Sequence, residues 1–549
     1  MMAHSAHVDT FAHDHLPPRE QWPEFVYDLP ELHYPDRINA ATELLDGAIA
    51  KGWGERTAIL APGGVRWTYA DLLAHANRIA HVLVDDLHVV PGNRVLLRGP
   101  NSPWMAACWF AVLKAGGIAV GSMPLLRARE LTDIVNKAQI THALCDARLQ
   151  EDLAAARDAC PTLLTVALFA TTAPGSIEAL AAGKPSLFDS VRTAADDTAL
   201  IAFTSGTTGT PKGTMHFHRD ILACCDCWPR STLRCNADDI FTGSPPLAFT
   251  FGLGGLLLFP LRVGAATLLI ERPSPDVLLP AIAEHRATIL FTAPTSYRAM
   301  APRAAEHDLS SLRKCVSAGE ALPAATRTLW KDATGIELID GIGATELLHI
   351  FISHDEEGAR AGATGKPVPG YCACVMDDAG KPLPAGQVGR LAVKGPTGCR
   401  YLADERQLQY VRDGWNYTGD AYLVDADGYF VYQARTDDMI VSAGYNIGGP
   451  EVEGALLLHP AVAECGVIGV ADDERGQIVK AFVALKPGFG GDDAMVKTLQ
   501  DFVKATIAPY KYPRAIEFLP SLPRTETGKL QRFRLRELGS KSHPERKHR

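Results

Sequence analysis

The chain has 549 residues, of which 47% are hydrophobic and 21% charged, which is enough apolar material for several globular domains. Its formal net charge is −9, and this disfavours a general nucleic acid binder, because such proteins present a net basic face. The first residues contain no continuous apolar stretch, which predicts a solvated polar arm without a signal peptide, and therefore a cytoplasmic protein. We separately expect a monomer or a homodimer.

The first half of the chain alternates between helical and strand patterns. Residues 68–83 and 102–115 carry apolar positions at helical spacing, whereas 94–97 and 118–120 are short apolar runs bounded by turn residues. Similar runs at 199–203, 267–270, 288–291 and 314–317 continue the pattern. This alternation predicts an α/β fold with mainly parallel sheets. Two apolar stretches, 106–126 and 253–270, are interrupted by charged residues and prolines, and we interpret them as buried helix–strand units instead of membrane spans.

The texture of the sequence changes twice in the second half. From about residue 363 to 434, turn pairs separate short apolar segments, which predicts a β-rich subdomain of hairpins. Asp425 and Asp427 beside Gly428 belong to such a turn, because the spaced glutamate of a calcium loop is missing. From 435 to the end, helices at 450–458 and 496–505 and strands at 463–470 and 478–485 predict a small α+β domain. We therefore expect an N-terminal domain over 1–434 and a C-terminal domain over 435–549.

The strongest motif is the run TSGTTGTPKG at 204–213, directly after the apolar run 200–203. Its glycines allow tight turns with inward N–H groups, its hydroxyls add donors, and Lys212 adds a positive charge, so the run can cradle a triphosphate. A Walker A loop is excluded, because Pro211 precedes Lys212 and Gly213 follows it. The candidate phosphate ligands are Thr204, Ser205, Gly206, Thr207, Thr208, Gly209 and Lys212.

This run resembles the phosphate loop of the acyl-adenylate-forming enzymes, which include acyl- and aryl-CoA ligases, and the resemblance extends over roughly residues 40 to 535. The segment DGIGATE at 340–346 is similar to a family segment ending in Tyr-Gly-x-Thr-Glu, with Ile342 in place of the aromatic residue. Thr345 can bond a phosphate, and Glu346 is a hard oxygen ligand suited to Mg²⁺. The resemblance implies these same roles, and it implies ATP, Mg²⁺ and coenzyme A as cofactor and co-substrates.

Further segments resemble the family's nucleotide site and its small mobile domain. SAGEAL at 317–322 is similar to the adenine wall, YTGD at 417–420 to the segment that holds the ribose, and PRTETGK at 523–529 to the loop that presents a catalytic lysine. Ala434 stands where the family usually has glycine before the ribose-binding arginine. The implied nucleotide ligands are Gly319, Glu320, Ala321, Asp340, Gly341, Asp420, Arg435 and Lys529, with Asp437 as hinge and Ala443 and Gly444 in a CoA tunnel.

The expected substrate is an aromatic acid, with no nucleic acid or membrane partner. The segment 246–252 resembles the acid-pocket loop, and the residues after Glu346 look like the benzoate–CoA ligase branch. The stretch 7–24 is most similar to 2-aminobenzoate–CoA ligases. Phe249, Ile342, Gly343 and His349 would form a flat apolar slot, although a core histidine is the alternative for His349. Loading of a carrier-protein thiol, a medium-chain fatty acid substrate and an inactive ATP-binding regulator remain alternative functions.

Overall fold

The computed structural model describes residues 4–204, 211–442, 445–472, 475–524 and 529–541. It is a mixed α/β structure with four sheets, and the α/β prediction is confirmed. The α-helices are Phe11–Asp14, Gly47–Ala50, Tyr69–His81, Pro103–Lys114, Ala128–Ala138, Gln150–Arg157, Ile177–Ala181, His218–Asp226, Thr250–Leu253, Phe259–Val263, Pro275–His285, Pro294–Met300, Ala324–Thr334, Gln407–Tyr410, Gly449–Leu457, Asp493–Thr506 and Arg532–Lys541. Short 3₁₀ and π turns join several of them.

Two large sheets lie in the first two thirds of the chain. In the six-stranded sheet all neighbouring strands are parallel except the last pair, and its spatial order is Thr165–Phe169, His142–Asp146, Arg94–Arg98, Ile118–Ser122, Thr198–Thr204 and Lys212–Phe217. The nine-stranded sheet is parallel at its centre, and its order is Lys366–Pro367, Ile350–Ser353, Leu338–Gly343, Lys314–Ser317, Ile289–Thr292, Ile240–Gly243, Ala266–Leu268, Thr57–Ala61 and Val65–Thr68.

Two five-stranded sheets follow. The first contains Cys372–Met376, Gly389–Lys394, Trp415–Val424 and Val411–Arg412 in spatial order, and Phe430–Arg435 also pairs with Trp415–Val424. The second contains Tyr445–Ile447, Ile440–Ser442, Gly476–Leu485 and Val462–Asp472, with Ala515–Phe518 beside Gly476–Leu485. The β-rich region and the small α+β unit thus have separate sheets, while the predicted domain boundary at about residue 435 stays a prediction.

The helix Pro103–Lys114 illustrates why the apolar stretches are buried. Ser102 caps it by accepting from the Met105 N–H, and Pro103 stands at its first turn, where a missing N–H has no cost. Nearly every side chain of the helix is buried, and it packs against strands of both large sheets. The strand Ile118–Ser122 follows it directly, so the helix–strand interpretation of this stretch is confirmed. Among the helices that the structure describes, none is both long and apolar enough to cross a membrane.

The N-terminal arm differs from its prediction as a solvated segment. His7 and Ala12 are buried, and Asp9 pairs with Arg94 at the start of a central strand. Further along, Trp22 and Phe25 lie over the guanidinium of buried Arg400. The prediction was wrong because polar side chains of the arm find partners on the folded core, and such pairing over long sequence distances leaves no periodic signal in the sequence.

Candidate active site

The predicted phosphate loop connects two paired strands. Thr198–Thr204 and Lys212–Phe217 form an antiparallel pair in which Thr204 lies opposite Lys212. Both residues are half-buried. The loop residues Ser205, Gly206, Thr207, Thr208 and Gly209 lie outside the described residues. The two ends of the motif therefore stand side by side, with the Lys212 ammonium at the mouth of the hairpin.

Glu346 lies in a tight turn at the end of the strand Leu338–Gly343. The 3₁₀ turn Thr345–Leu347 ends at Leu348, whose φ of 70° is a strained conformation for a leucine. The His349 N–H donates to the Leu347 carbonyl at 2.9 Å, which closes a γ-turn around Leu348. Because of this reversal, Glu346 reaches Lys212, whereas His349 enters an aromatic cluster.

Two side chains that the sequence did not single out complete the surroundings of Glu346. The Tyr401 hydroxyl donates to Glu346 Oε1 and accepts from Lys212 Nζ at 3.1 Å, while Lys212 Nζ lies 3.9 Å from Glu346 Oε1. His216, which is fully buried, bonds the Thr345 carbonyl through Nε2 at 2.8 Å. Neither residue belongs to a recognisable motif, since only the pairing of 399–402 with the strand Lys212–Phe217 brings Tyr401 here.

Asp420 and Arg435 form the predicted ribose-binding pair. They lie opposite each other on neighbouring antiparallel strands, and Arg435 Nη1 is 3.1 Å from Asp420 Oδ1. The same Nη1 donates to the Thr418 carbonyl at 3.1 Å. Gly419 has a φ of 78°, and a Cβ there would come within 2.8 Å of Arg435 Nη2. A glycine at this position therefore leaves the guanidinium room to lie beside Asp420.

Lys529 lies against the predicted adenine wall. Gly319, with a φ of 91°, would place an added Cβ 3.6 Å from Lys529 Cε and 3.9 Å from its Nζ. Glu320 lies beside it, 4.0 Å from Arg524, and Ala321 follows as an exposed residue. Burial raises the pKa of the Glu320 carboxyl, although the charges of Arg524 and Lys529 oppose this. Lys529 is exposed overall, yet desolvation by the surrounding protein lowers its pKa.

Asp340 and Gly341 hold the strand next to Glu346. Burial raises the pKa of Asp340 to about 7, and its carbonyl accepts a hydrogen bond from Ser353 Oγ at 2.6 Å. Gly341 packs against Ile350, since a Cβ there would approach the Ile350 side chain to 2.9 Å. Both residues are buried, and as consecutive strand residues they face opposite sides of the sheet.

The predicted acid-pocket residues fall into two neighbouring places. Phe249 lines a small apolar cavity together with Met105, Trp109, Gly121, Leu200, Ala202, Leu247, Ala248, Thr250 and Leu253. His349 is buried among Trp228, Phe251 and Phe259, and burial lowers its pKa to about 3. Its Nδ1 has no hydrogen-bond partner within the part of the chain that the structure describes. Ile342 is half-buried, and Gly343 packs tightly against the His349 carbonyl.

The predicted hinge and CoA-tunnel residues lie around the start of the small sheet. Asp437 is in the 3₁₀ turn Thr436–Asp438, which directly precedes the strand Ile440–Ser442. The neighbouring Asp438 pairs with Arg536 and lies 3.9 Å from Arg532. Ala443 and Gly444 lie outside the described residues.

The residues around Glu346 fit a magnesium ion held mainly by its substrate. Across the described ranges, no group of three or more His, Cys, Asp or Glu residues could hold a metal alone. Glu346 is 7% exposed, and Oε1 is the oxygen that Tyr401 and Lys212 contact. A single carboxylate completed by phosphates is a usual arrangement for Mg²⁺.

Two protein-family models match the chain. A family model described as AMP-binding enzyme matches residues 48–401, and the model of the AMP-binding enzyme C-terminal domain matches residues 451–529. The first match covers more than half of the chain. The chain belongs to the AMP-binding enzyme family.

Characterised relatives place the chain in the benzoate–CoA ligase branch of this family. It is 35% identical to a benzoate–CoA ligase of Thauera aromatica, over 92% of the chain and 97% of the relative. A 3-hydroxybenzoate–CoA ligase of Aromatoleum is 32% identical over 91% of the chain and 97% of its own length. A crystal structure of an anthranilate CoA ligase with anthranoyl-AMP has a TM-score of 0.88 and 35% identity, and covers 93% of this chain and 99% of its own. A benzoate CoA ligase of Burkholderia xenovorans LB400 has a TM-score of 0.83 and 32% identity, over 91% of this chain and 100% of its own.

Proposed function

We propose that the chain activates benzoate or 2-aminobenzoate with ATP and transfers the aryl group to CoA. The coarser assignment, an AMP-forming aryl-CoA ligase that uses ATP, Mg²⁺ and CoA, follows from the family and the relatives. The observation that carries the proposal is the position of Lys529 over Gly319, because it brings a lysine from the C-terminal part of the chain to the predicted nucleotide site.

In the first step, a carboxylate oxygen of the acid attacks the α-phosphorus of ATP, and the bond between the α- and β-phosphates breaks. Both reactants are anions, so positive charge must surround the developing transition state. Lys212 would neutralise the triphosphate at the hairpin mouth, and Lys529 would bridge the acid and the α-phosphate. Glu346 would hold Mg²⁺, which supplies further neutralisation of the triphosphate when bound.

The nucleoside part of ATP would be oriented by the Asp420–Arg435 pair. An ionised carboxylate can accept hydrogen bonds from both ribose hydroxyls. Arg435 keeps Asp420 in place through the contact at 3.1 Å. The pair lies on neighbouring strands, and a rigid sheet is a suitable support for a binding group that must not move during the reaction.

In the second step, the CoA thiolate attacks the carbonyl carbon of the acyl-adenylate, and AMP leaves with the electron pair of the broken bond. Asp437 would be the pivot of a domain rotation that removes Lys529 and brings Ala443 and Gly444 to the acyl group. A closure of this kind, which exchanges one catalytic face for another, is a known class of conformational step.

The aromatic preference is supported by the cavity at Phe249. Most of its lining residues are apolar, which suits an aromatic ring, and Gly121 borders it, where a Cβ would come within 3.0 Å of Ala248 Cα. The similarity to an anthranilate CoA ligase over 93% of the chain supports 2-aminobenzoate as a candidate beside benzoate.

The test is pyrophosphate release from ATP and Mg²⁺ with benzoate, 2-aminobenzoate, 4-hydroxybenzoate and hexanoate, each with and without CoA. We expect release with an aryl acid, and AMP and an aryl-CoA thioester when CoA is present. A clear preference for hexanoate would overturn the aryl assignment in favour of a fatty acid ligase. Release without thioester formation would instead favour a carrier-protein thiol as acceptor.

A further inference from the structure

The hydroxyl of Tyr401 stands between the two groups assigned to the metal–triphosphate end of the site. It donates to Glu346 Oε1 and accepts a hydrogen bond from Lys212 Nζ at 3.1 Å. The lysine also lies 5.1 Å from the centre of the Tyr401 ring. A phenol can donate one hydrogen bond and accept another, so this hydroxyl serves both neighbours at once.

The Tyr401 ring is fixed on all sides. Its backbone N–H donates to Gln407 Oε1 at 2.9 Å, and the residue pairs with Thr214 in a β-bridge. The ring is 1% exposed and meets Tyr410 edge-on at a centroid distance of 5.8 Å. Because backbone and ring are both held, the hydroxyl cannot follow a moving partner.

The preceding residue anchors the segment in the core. The Arg400 guanidinium is fully buried, pairs with Asp220, and lies 3.8 Å from the centre of the Phe217 ring. Removing one partner from such a buried pair leaves an uncompensated charge, so the segment has a strong energetic preference for this position. The arrangement around Tyr401 is therefore a rigid support for the site.

Glu346 and Lys212 attract each other across a short gap. Their charged atoms are 3.9 Å apart, close enough for a direct ion pair that would occupy the carboxylate and the ammonium together. The Tyr401 hydroxyl adds a hydrogen bond to each group beside this loose ion pair. Within the described residues, the other carboxylate oxygen and the remaining ammonium protons have no hydrogen-bond partner, so they can meet a ligand.

We propose that Tyr401 is a positioning residue which fixes Glu346 and Lys212 in the orientations that the metal–triphosphate would meet. This inference rests on the proposed function for its biological role, but the arrangement itself can be tested by binding.

The test compares Tyr401→Phe with the matched control Tyr410→Phe. Both substitutions remove one hydroxyl from a buried tyrosine, and the Tyr410 hydroxyl has no hydrogen-bond partner in the described part of the chain. Calorimetric titration with a non-hydrolysable ATP analogue, in a series of Mg²⁺ concentrations, reports binding without turnover. We expect Tyr401→Phe to raise the Mg²⁺ concentration for half-maximal binding on the order of tenfold, since a hydrogen bond to a charged group is lost.

The rate of pyrophosphate release and the KM for the aromatic acid distinguish a positioning role of Tyr401 from a packing role. The same variant should lower the rate of pyrophosphate release and leave the KM for the aromatic acid near the wild-type value, although loss of a hydrogen bond to a buried charge also lowers the thermal midpoint. Tyr410→Phe should stay within about twofold in every measurement, since it removes no hydrogen bond to a charged group.

A double variant tests whether Tyr401 acts through Glu346. If it does, adding Tyr401→Phe to Glu346→Gln should change the Mg²⁺ dependence much less than it does in the wild type. Equal behaviour of Tyr401→Phe and Tyr410→Phe would overturn the inference, as would full additivity with Glu346→Gln. A wild type that binds the analogue with Mg²⁺ but releases no pyrophosphate with any acid would count against the proposed function alone.

Discussion

The surroundings of Glu346 and of Lys529 are built in opposite ways. Glu346 is buried in a turn whose carbonyls accept from His216 and Thr397, and its carboxylate accepts from the fixed Tyr401. Lys529 approaches the larger part of the molecule over the backbone of Gly319 and beside Glu320. The first arrangement suits a group that stays in place, and the second suits a group that, under the proposed function, would leave after the first step.

Replacement of Lys529 by alanine should have the largest effect. If Lys529 stabilises charge only during adenylation, Lys529→Ala should lower the rate of pyrophosphate release on the order of 10²–10³-fold. Thioester formation from chemically prepared aryl-AMP and CoA should be retained, because that step does not need the lysine. The two half-reactions are measured separately, as pyrophosphate and as aryl-CoA. Equal loss in both would mean that Lys529 is a permanent part of the site and would contradict the contrast with Glu346.

Lowering the pH should destabilise the folded protein around Glu346, because His216 becomes protonated in the unfolded chain. Burial lowers the pKa of His216 to about 4 from an ordinary value of 6.5, while the charge of Asp220 raises it and that of Arg400 lowers it. Between these two pH values the unfolded chain binds a proton at His216 that the folded chain does not bind. The free energy of unfolding is therefore unaffected by His216 above pH 6.5 and decreases as the pH falls from 6.5 toward 4. One such group changes the free energy of unfolding by about 1.4 kcal/mol per pH unit within this window.

The measurement is the free energy of unfolding from pH 7 to pH 5 for the wild type and for His216→Gln. Glutamine can donate to the Thr345 carbonyl and does not titrate, so the slope should decrease by about one proton. Other buried histidines, including His218 with a pKa of about 3, retain their own contributions in both proteins. An unchanged slope would show that His216 is not held neutral by burial.

The contrast between these two regions also marks what the sequence could predict. Lys212 was predicted from an ordered run whose residue types suit a triphosphate, whereas Glu346 and Lys529 were predicted mainly because their segments resemble those of the adenylate-forming enzymes. Buried parallel strands were predicted from short, mainly apolar runs bounded by turn residues, as at Arg94–Arg98 and Ile118–Ser122. Tyr401 was not predicted, since its role depends on a bridge to Thr214, far away in the chain. The sequence assigned Phe249 and His349 to one acid pocket. It could not show that the two side chains have different neighbours in the fold.

A smaller effect, roughly tenfold on pyrophosphate release, is expected at Gly319. Its left-handed φ is unfavourable for alanine by about 1 kcal/mol, and a Cβ would touch the Lys529 side chain at 3.6 Å. Gly335→Ala is the matched control, since its φ of 75° imposes similar backbone strain and a Cβ there meets no atom within 4 Å. Both variants should lose similar stability, and only Gly319→Ala should slow adenylation. Equal rates in the two variants would place Lys529 elsewhere during the reaction.

The weakest expected effect concerns the ionic contact that accompanies Lys529. Arg524 lies 4.0 Å from Glu320 and 2.7 Å from Glu464, so it connects the lysine loop to both the adenine wall and its own domain. The Glu320→Gln variant removes the first attraction and the weaker one to Lys529, and a partly exposed pair of this kind contributes about 0–1 kcal/mol. We expect about a twofold slower pyrophosphate release at low ionic strength, and no difference from the wild type at 0.5 M salt, where such charges are screened. Glu464→Gln is the control, because it leaves the contact with the adenine wall intact. A large, salt-independent loss of pyrophosphate release in Glu320→Gln would mean that Glu320 contacts the substrate itself. The surroundings of Lys529 would then be a fixed part of the site, like those of Glu346.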